Sequence, residues 1–302
     1  MISANRVLGA GCLVLGAMVL GATVPGAMVP AAQQPAPTAA ELKQKFERRA
    51  AEIAARVDGV MGYAIVDLTS GDRFAHLDRE TFPTASTIKL AIVHELFKQV
   101  EEGSLRLDET MVLDRSKAVG GTGVLADLGT PTLSIRDYAM LMVRLSDNTA
   151  TNVLIDRLGM EKIAKRMLGL GLTATKLRRQ MMDTAAARRG DENVSTPDEL
   201  ARLLQAIGKM PDAMAMLKKS KESRLRRGLP DGVETADKPG ELEGVRVDAG
   251  IVFAKNRPYV LCVMTTFLKD ELEGERAIED LSRASYEYFS RLGAGALGRR
   301  LP

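Results

Sequence analysis

Ser86 and Lys89 stand three residues apart in "PTASTIKLAIVHEL" (residues 83–96), at the entrance to an apolar run. From Ile88 to Phe97 nearly every position is apolar, the pattern of a helix buried on most sides. A serine hydroxyl is a poor nucleophile until a base takes its proton. Lys89 lies on the same helical face at i+3, and burial disfavours its charged form, so a neutral amine there can act as that base. Ser86 at the helix N-terminus also has a free backbone N–H and a favourable dipole for a developing oxyanion. The pair alone fits a second reading equally well, a lysine whose long stem snorkels to the surface.

Two further polar segments carry chemistry. Ser146-Asp147-Asn148 lies between the apolar stretch "YAMLMVRL" and a capped helix beginning at Thr151, and Lys238-Pro239-Gly240 lies on a strand ahead of "GVRVDAGIVF". Other candidates fall away. Gly121-Thr122-Gly123-Val124-Leu125-Ala126 imitates a dinucleotide-binding turn but has no βαβ unit around it. His94-Glu95 is followed by Lys98 where a zinc-protease helix has its second histidine. The only histidines are His76 and His94, and His94 is two turns beyond Ser86, too far along the helix for a Ser-His-Asp triad. No metal and no cofactor are expected.

The elements that must position these segments follow from periodicity. Residues 41–57 read as an amphipathic helix with Leu42, Phe46, Ala50, Ile53 and Val57 on one face. "VMGYAIVDLTSGDRFAHL" reads as a hairpin around Thr-Ser-Gly-Asp. From Thr84 to about Met216 the pattern is helical, with a start at Ser134/Asp137 and a stop at Gly159. Strands return in "DGVETADK", "GVRVDAGIVFA" and "PYVLCVMTTFL", and a last amphipathic helix covers Glu275 to Arg291. The expected fold is α/β (α+β): an antiparallel sheet formed from both chain ends with flanking helices, and an inserted all-α lobe at about 84–220. A cleft between sheet and lobe is the natural ligand site.

Composition bounds the rest. The chain has 302 residues, 45% hydrophobic and 27% charged, with a formal charge of +3, which describes a soluble globular protein without the basic excess of a nucleic-acid binder. Basic clusters at Lys218–Lys221 and Arg224–Arg227 have no interleaved aromatic residues and read as a solvated helix face. Arg6 is the only charge before Glu41, Val7 to Val24 is apolar and small, and Val29-Pro30-Ala31 offers a cleavage site. Residues 1–31 read as a signal peptide and 32–40 as a linker before a domain at 41–302, so the protein is expected to be periplasmic or secreted. An uncleaved signal would be the one membrane attachment. Cys12 lacks a lipobox, and after cleavage Cys262 is alone, so no internal disulfide forms. A monomer is expected.

The three polar segments, in this order and on these elements, resemble the serine penicillin-recognising enzymes, and most closely the class A β-lactamases. "FPTASTIKL", "SDNTATNVLIDRLG" and "DAGIVFAKNRPYVLCVMTT" extend the resemblance over about Glu41 to Arg291. It implies the same sandwich-plus-lobe fold and a small-molecule β-lactam or peptidoglycan-derived substrate. It implies Ser86 as nucleophile and Lys89 as base, its pKa lowered by Lys238 as well as by burial. Ser146 would relay the proton to the leaving nitrogen, and Lys238 would hold Ser146 and a substrate carboxylate. Asn148, Gly240, Glu241 through its backbone N–H, and Arg246 would bind substrate. Arg246 equally fits a strand-surface arginine paired with Asp248 or Glu243.

The chain departs from that family twice. Pro239 stands where a Thr or Ser hydroxyl is usual, which fits an edge strand. The family's Glu-x-x-Leu-Asn, whose Glu activates the deacylating water, is absent, and Met181 falls about where that Glu should be. Asp183 is the nearest carboxylate, as a deacylating base or as an N-cap. The expected activity is opening of β-lactam rings through an acyl-Ser86 intermediate. The alternative is a D-alanyl peptidase or esterase that β-lactams acylate and that deacylates slowly. A third reading is a non-catalytic sensor of the same ligands.

Overall fold

The computed structural model describes residues 37–221 and 223–295. The signal-peptide reading at 1–31 lies outside them. Helix α1 spans Pro37–Ala55 and so begins within the expected linker, earlier than periodicity alone indicated. The hairpin forms as expected, β1 (Val60–Asp67) turning through Gly71 into β2 (Arg73–His76). Three strands follow near the C-terminus: β3 (Thr235–Leu242), β4 (Val245–Val252) and β5 (Tyr259–Thr266). The sheet order is β2-β1-β5-β4-β3, and every neighbouring pair is antiparallel.

Both faces of the sheet are covered, which is why its inner strands read as continuous apolar runs. On β5, Tyr259, Leu261 and Val263 join one core with Phe46 and Phe289, while Val260, Cys262 and Met264 join the other. The first core sits under α1 and the terminal helix α10 (Glu271–Gly293), where Phe46 stacks on Tyr288 and Tyr259 on Phe289 at centroid distances of 4.7 and 4.3 Å. Among the described residues eight α-helices lie between β2 and β3: α2 (Lys89–Glu101), α3 (Ile135–Arg144), α4 (Asn148–Leu158), α5 (Met160–Gly169), α6 (Thr184–Arg188), α7 (Pro197–Ile207), α8 (Pro211–Leu217) and α9 (Arg224–Arg227). Ser134 and Asp137 form a capping box at the start of α3, and α4 stops at Gly159. Although α7 falls in the range expected for the lobe, it packs on β1, β4 and β5 through Leu200, Leu203, Leu204 and Ile207. It therefore closes the second sheet face.

Candidate active site

Ser86 is carried by a single 3₁₀ turn, Ala85–Ile88, that runs directly into α2. Thr84 anchors the entry, its N–H and Oγ1 both donating to Asn193 O at 2.9 and 3.0 Å. Ala85 holds a left-handed φ of 46°, a strained state for a residue with a Cβ. Edge strand β3 passes against this turn at Gly240. A Cβ on Gly240 would lie 2.7 Å from Ser86 N and 2.9 Å from Thr84 O, so only glycine lets the strand approach so closely. That approach brings the backbone of β3 beside the N–H of Ser86, where an oxyanion would have to sit.

Lys89 begins α2 and is wholly buried. Its Nζ donates to Ser146 O at 2.6 Å, Ser146 Oγ at 3.0 Å and Asn148 Oδ1 at 3.1 Å. Ser146 Oγ donates to Ser86 Oγ at 3.0 Å and accepts from Lys238 Nζ at 3.1 Å. Burial, with the neighbouring Lys238 cation adding to it and Asp147 opposing, holds the Lys89 pKa well below that of an ordinary lysine. The snorkelling reading is excluded by geometry, because Nζ points into the protein. Of the three groups bonded to Lys89 Nζ, Ser146 Oγ is the one that carries a hydrogen and also bonds Ser86. Lys89 thus reaches Ser86 through Ser146.

The Ser-Asp-Asn segment is pinned from several sides. Ser146 has a left-handed φ of 52°. Asp147 caps α4 through Ala150 N at 2.8 Å and takes the N–H groups of Val124 and Leu125 at 2.6 and 2.9 Å. Gly123 makes room for that carboxylate, because a Cβ there would lie 2.2 Å from Asp147 Oδ2. The glycine-rich stretch that imitates a dinucleotide turn is therefore the clamp on this segment. Thr122 Oγ1 donates to Ser146 O at 2.8 Å, and Asn148 Nδ2 to Gly120 O at 3.2 Å. Lys238 is fully buried on β3, and its neighbour Asp237 is held by Arg226 Nε at 2.8 Å.

These groups open on a cleft of about 830 Å³, lined also by Met181, Glu192, Arg224, Arg227 and Glu241. Asn152 grips the backbone of Met181 on both sides, Oδ1 accepting its N–H at 2.8 Å and Nδ2 donating to its O at 3.1 Å. Asp183 is exposed, caps α6 through Ala186 N at 2.9 Å, and is not among the residues lining the cleft. It takes the capping role rather than facing Ser86. Arg246 also turns away. It was expected to bind substrate or to pair with Asp248 or Glu243; instead it bonds Glu275 at 3.1 Å and the Leu242 and Val245 carbonyls and is not among the residues lining the cleft.

Among the described residues three arginines do line the cleft with Ser86 and Lys238, Arg179, Arg224 and Arg227, and of these Arg224, which sequence reasoning passed over, is buried and paired with Glu241. Of the Arg224–Arg227 cluster only Arg227, 55% exposed, lies on a solvated face. Arg224 is buried and paired with Glu241 and Glu275, and Arg226 with Asp237. No local sequence signal marks Arg224, because both partners are distant in the chain. His94 stands apart from the cleft, and burial, then Arg166, pulls its pKa down to about 4. Among the described residues no group of three or more His, Cys, Asp or Glu side chains is placed to hold a metal ion.

Comparison with known proteins agrees with this geometry. The chain is 31% identical to a β-lactamase from Sphaerobacter thermophilus, with a TM-score of 0.75 over 80% of this chain and 96% of that one. It is 27% identical to a mutant of PBP-A solved as an acyl-enzyme complex with penicillin-G, with a TM-score of 0.74 over 84% and 97% of the two chains. An imipenem-hydrolyzing β-lactamase of Enterobacter cloacae is 27% identical over 76% of this chain and 83% of its own length. A family model described as the β-lactamase enzyme family matches residues 45–289. A buried lysine joined through a second serine to a serine on a helix N-terminus, in a chain matched over that length, belongs to the β-lactamase enzyme family as a class A-like serine hydrolase.

Proposed function

We propose that the protein opens β-lactam rings through an acyl-Ser86 intermediate and releases the acyl group slowly. The observation that carries the first half is the hydrogen-bonded path Ser86–Ser146–Lys89, with Lys238 alongside. Ser86 Oγ attacks the lactam carbonyl carbon as its proton passes to Ser146 Oγ and the Ser146 proton passes to Lys89 Nζ. The oxyanion that forms is taken by the backbone N–H groups of Ser86 and Glu241. The C–N bond then breaks, and its nitrogen takes the Ser146 proton while Lys89 returns one to Ser146. Lys238 Nζ donates to Ser146 Oγ and holds it in place for both transfers. Asn148 is assigned to an amide on the acyl side of the substrate. The PBP-A complex with penicillin-G supports an acyl-enzyme in a site of this build.

Slow release is favoured by Met181, an apolar side chain at the place where a deacylating carboxylate is expected. Of the three cleft carboxylates among the described residues, Glu192 is held by Arg179, Glu241 by Arg224, and Glu243 lies in the turn after β3. The same feature favours a second reading, a D-alanyl peptidase or esterase with the same nucleophile. Export is part of the proposal and rests on Arg6 and the apolar run Val7 to Val24.

The test mixes the mature protein and its Ser86→Ala variant with a chromogenic cephalosporin and with benzylpenicillin, read by absorbance and intact mass. A stoichiometric penicilloyl adduct on the wild type alone, with slow colour release, is expected. D-Ala release from a D-Ala-D-Ala peptide would move the assignment to the peptidase. No adduct and no turnover would overturn both readings.

A further inference from the structure

Arg224 is an unusual lining residue. Its side chain is 8% exposed, yet it faces the same cleft as Ser86. From beneath it is held by Glu275, whose two oxygens also take Arg227 and Arg246, so one carboxylate serves three guanidinium groups. Nε of Arg224 is buried without an acceptor. The guanidinium meets its acceptors through Nη2, shared between Glu241 and Glu275, and the group that best replaces Glu241 there is another carboxylate. At present the carboxylate on it is the chain's own. Glu241, 53% exposed at the end of β3, bonds Nη2 of Arg224.

We propose that Glu241 is a specificity-determining residue, a resident carboxylate that competes with a carboxylate on the ligand for Arg224. The proposal rests on the reading that Ser86 is acylated in this cleft. Three features give it direction. Pro239 offers no hydroxyl to an anionic substituent, which leaves guanidinium groups of the lining, Arg224 among them, to supplement Lys238. Glu241 directly follows Lys238-Pro239-Gly240, so the residue assigned to the oxyanion also controls the neighbouring anion contact. Its carboxylate is half in solvent, so displacing it exchanges one ion pair for another and weakens anion binding without abolishing it. A neutral ester or amide acyl donor leaves the Glu241–Arg224 pair in place. The wild-type cleft therefore discriminates little between anionic and neutral donors, and the variant lacking the Glu241 carboxylate favours anionic ones.

The experiment compares wild type, Glu241→Gln and Glu241→Ala. Acylation rates with benzylpenicillin and with its methyl ester are read by intact mass, after thermal melts show that both variants fold. The ratio of acid to ester rates is expected to rise roughly tenfold in both variants. A ratio within about twofold of wild type, or a fall, would overturn the proposal. Equilibrium binding of the same two compounds to Ser86→Ala, with and without Glu241→Gln, reads the ratio without any acylation. A shifted binding ratio with no adduct on wild type would sink the acyl-enzyme reading and keep the Glu241 assignment. An unshifted binding ratio with normal acylation would do the reverse.

Discussion

Asn152 holds Met181 by both ends of its peptide units, taking the N–H at 2.8 Å and giving a hydrogen bond to the carbonyl at 3.1 Å. The backbone is thereby fixed at the cleft wall, where Met181 is 7% exposed. If that position decides the lifetime of the acyl-enzyme, Met181→Glu supplies a general base without moving the loop. General-base assistance is worth roughly 100- to 10,000-fold, so the penicilloyl adduct should disappear at least about 100 times faster. Met181→Gln, of similar size but without a basic oxygen, should leave its lifetime unchanged. Both are read by intact mass after removal of excess penicillin.

The path from Ser86 to Lys89 through Ser146 makes a prediction about additivity. Ser146→Ala and Lys89→Met should each slow acylation roughly 100- to 1000-fold, and the double variant little more than either, because both break one route. A double variant slowed by the product of the two effects would mean that Lys89 takes the Ser86 proton directly.

Gly240 sets the spacing between β3 and the Ser86 turn. Gly240→Ala puts a Cβ 2.7 Å from Ser86 N, so the turn must shift, and misplacement of about 1 Å costs about 100-fold. The expected result is acylation slowed by about that factor in a protein that still melts cooperatively. An unchanged rate would show that the strand and not the turn gives way.

Asp248 on β4 is fully buried, and its Oδ1 has no partner. Burial, then the nearby Asp237 carboxylate, pushes its pKa up to about 6. A group whose pKa is raised on folding binds more protons in the native state, so it favours folding at low pH. That contribution is lost as pH rises from about 4 to about 6. Asp248→Asn keeps an acceptor for Leu225 N–H and Ser223 Oγ and removes the charge. Its stability relative to wild type should therefore rise across that interval, by about 3 kcal/mol at most, and stay level above it. Urea melts at pH 4, 5, 6 and 7 measure the difference.

What could be read in the linear chain was whatever the local pattern encodes. The hairpin at Gly71, the capping box at Ser134 and Asp137, and the stop at Gly159 each depend on residues within a few positions of one another. The buried helix of Lys89 was legible because the run from Ile88 to Phe97 leaves no polar face. Arg224 was not, since its partners Glu241 and Glu275 lie 17 and 51 residues away. A charged side chain looks solvated until the fold supplies such partners. The turn of Arg246 toward Glu275 was hidden for the same reason, being 29 residues distant. The start of β3 was also misplaced. "DGVETADK" suggested a strand from Asp231, whereas the strand begins at Thr235 after a turn at Gly232 with φ of 82°.

The sheet registers Val60 on Thr266, so the first strand of the domain finds its central partner only in the last. A chain made from its N-terminus must hold β1 unpaired on that side while nearly the whole domain is synthesised. Pairing at such separation is slow to form, because the loop must close before any contact compensates. The nucleophile at Ser86 accordingly exists long before Lys238 arrives to complete its surroundings. Assembly of the cleft is a terminal event in the life of the nascent chain, and a chain truncated before β5 would carry Ser86, Ser146 and Lys238 without the strand that joins the two ends of the sheet.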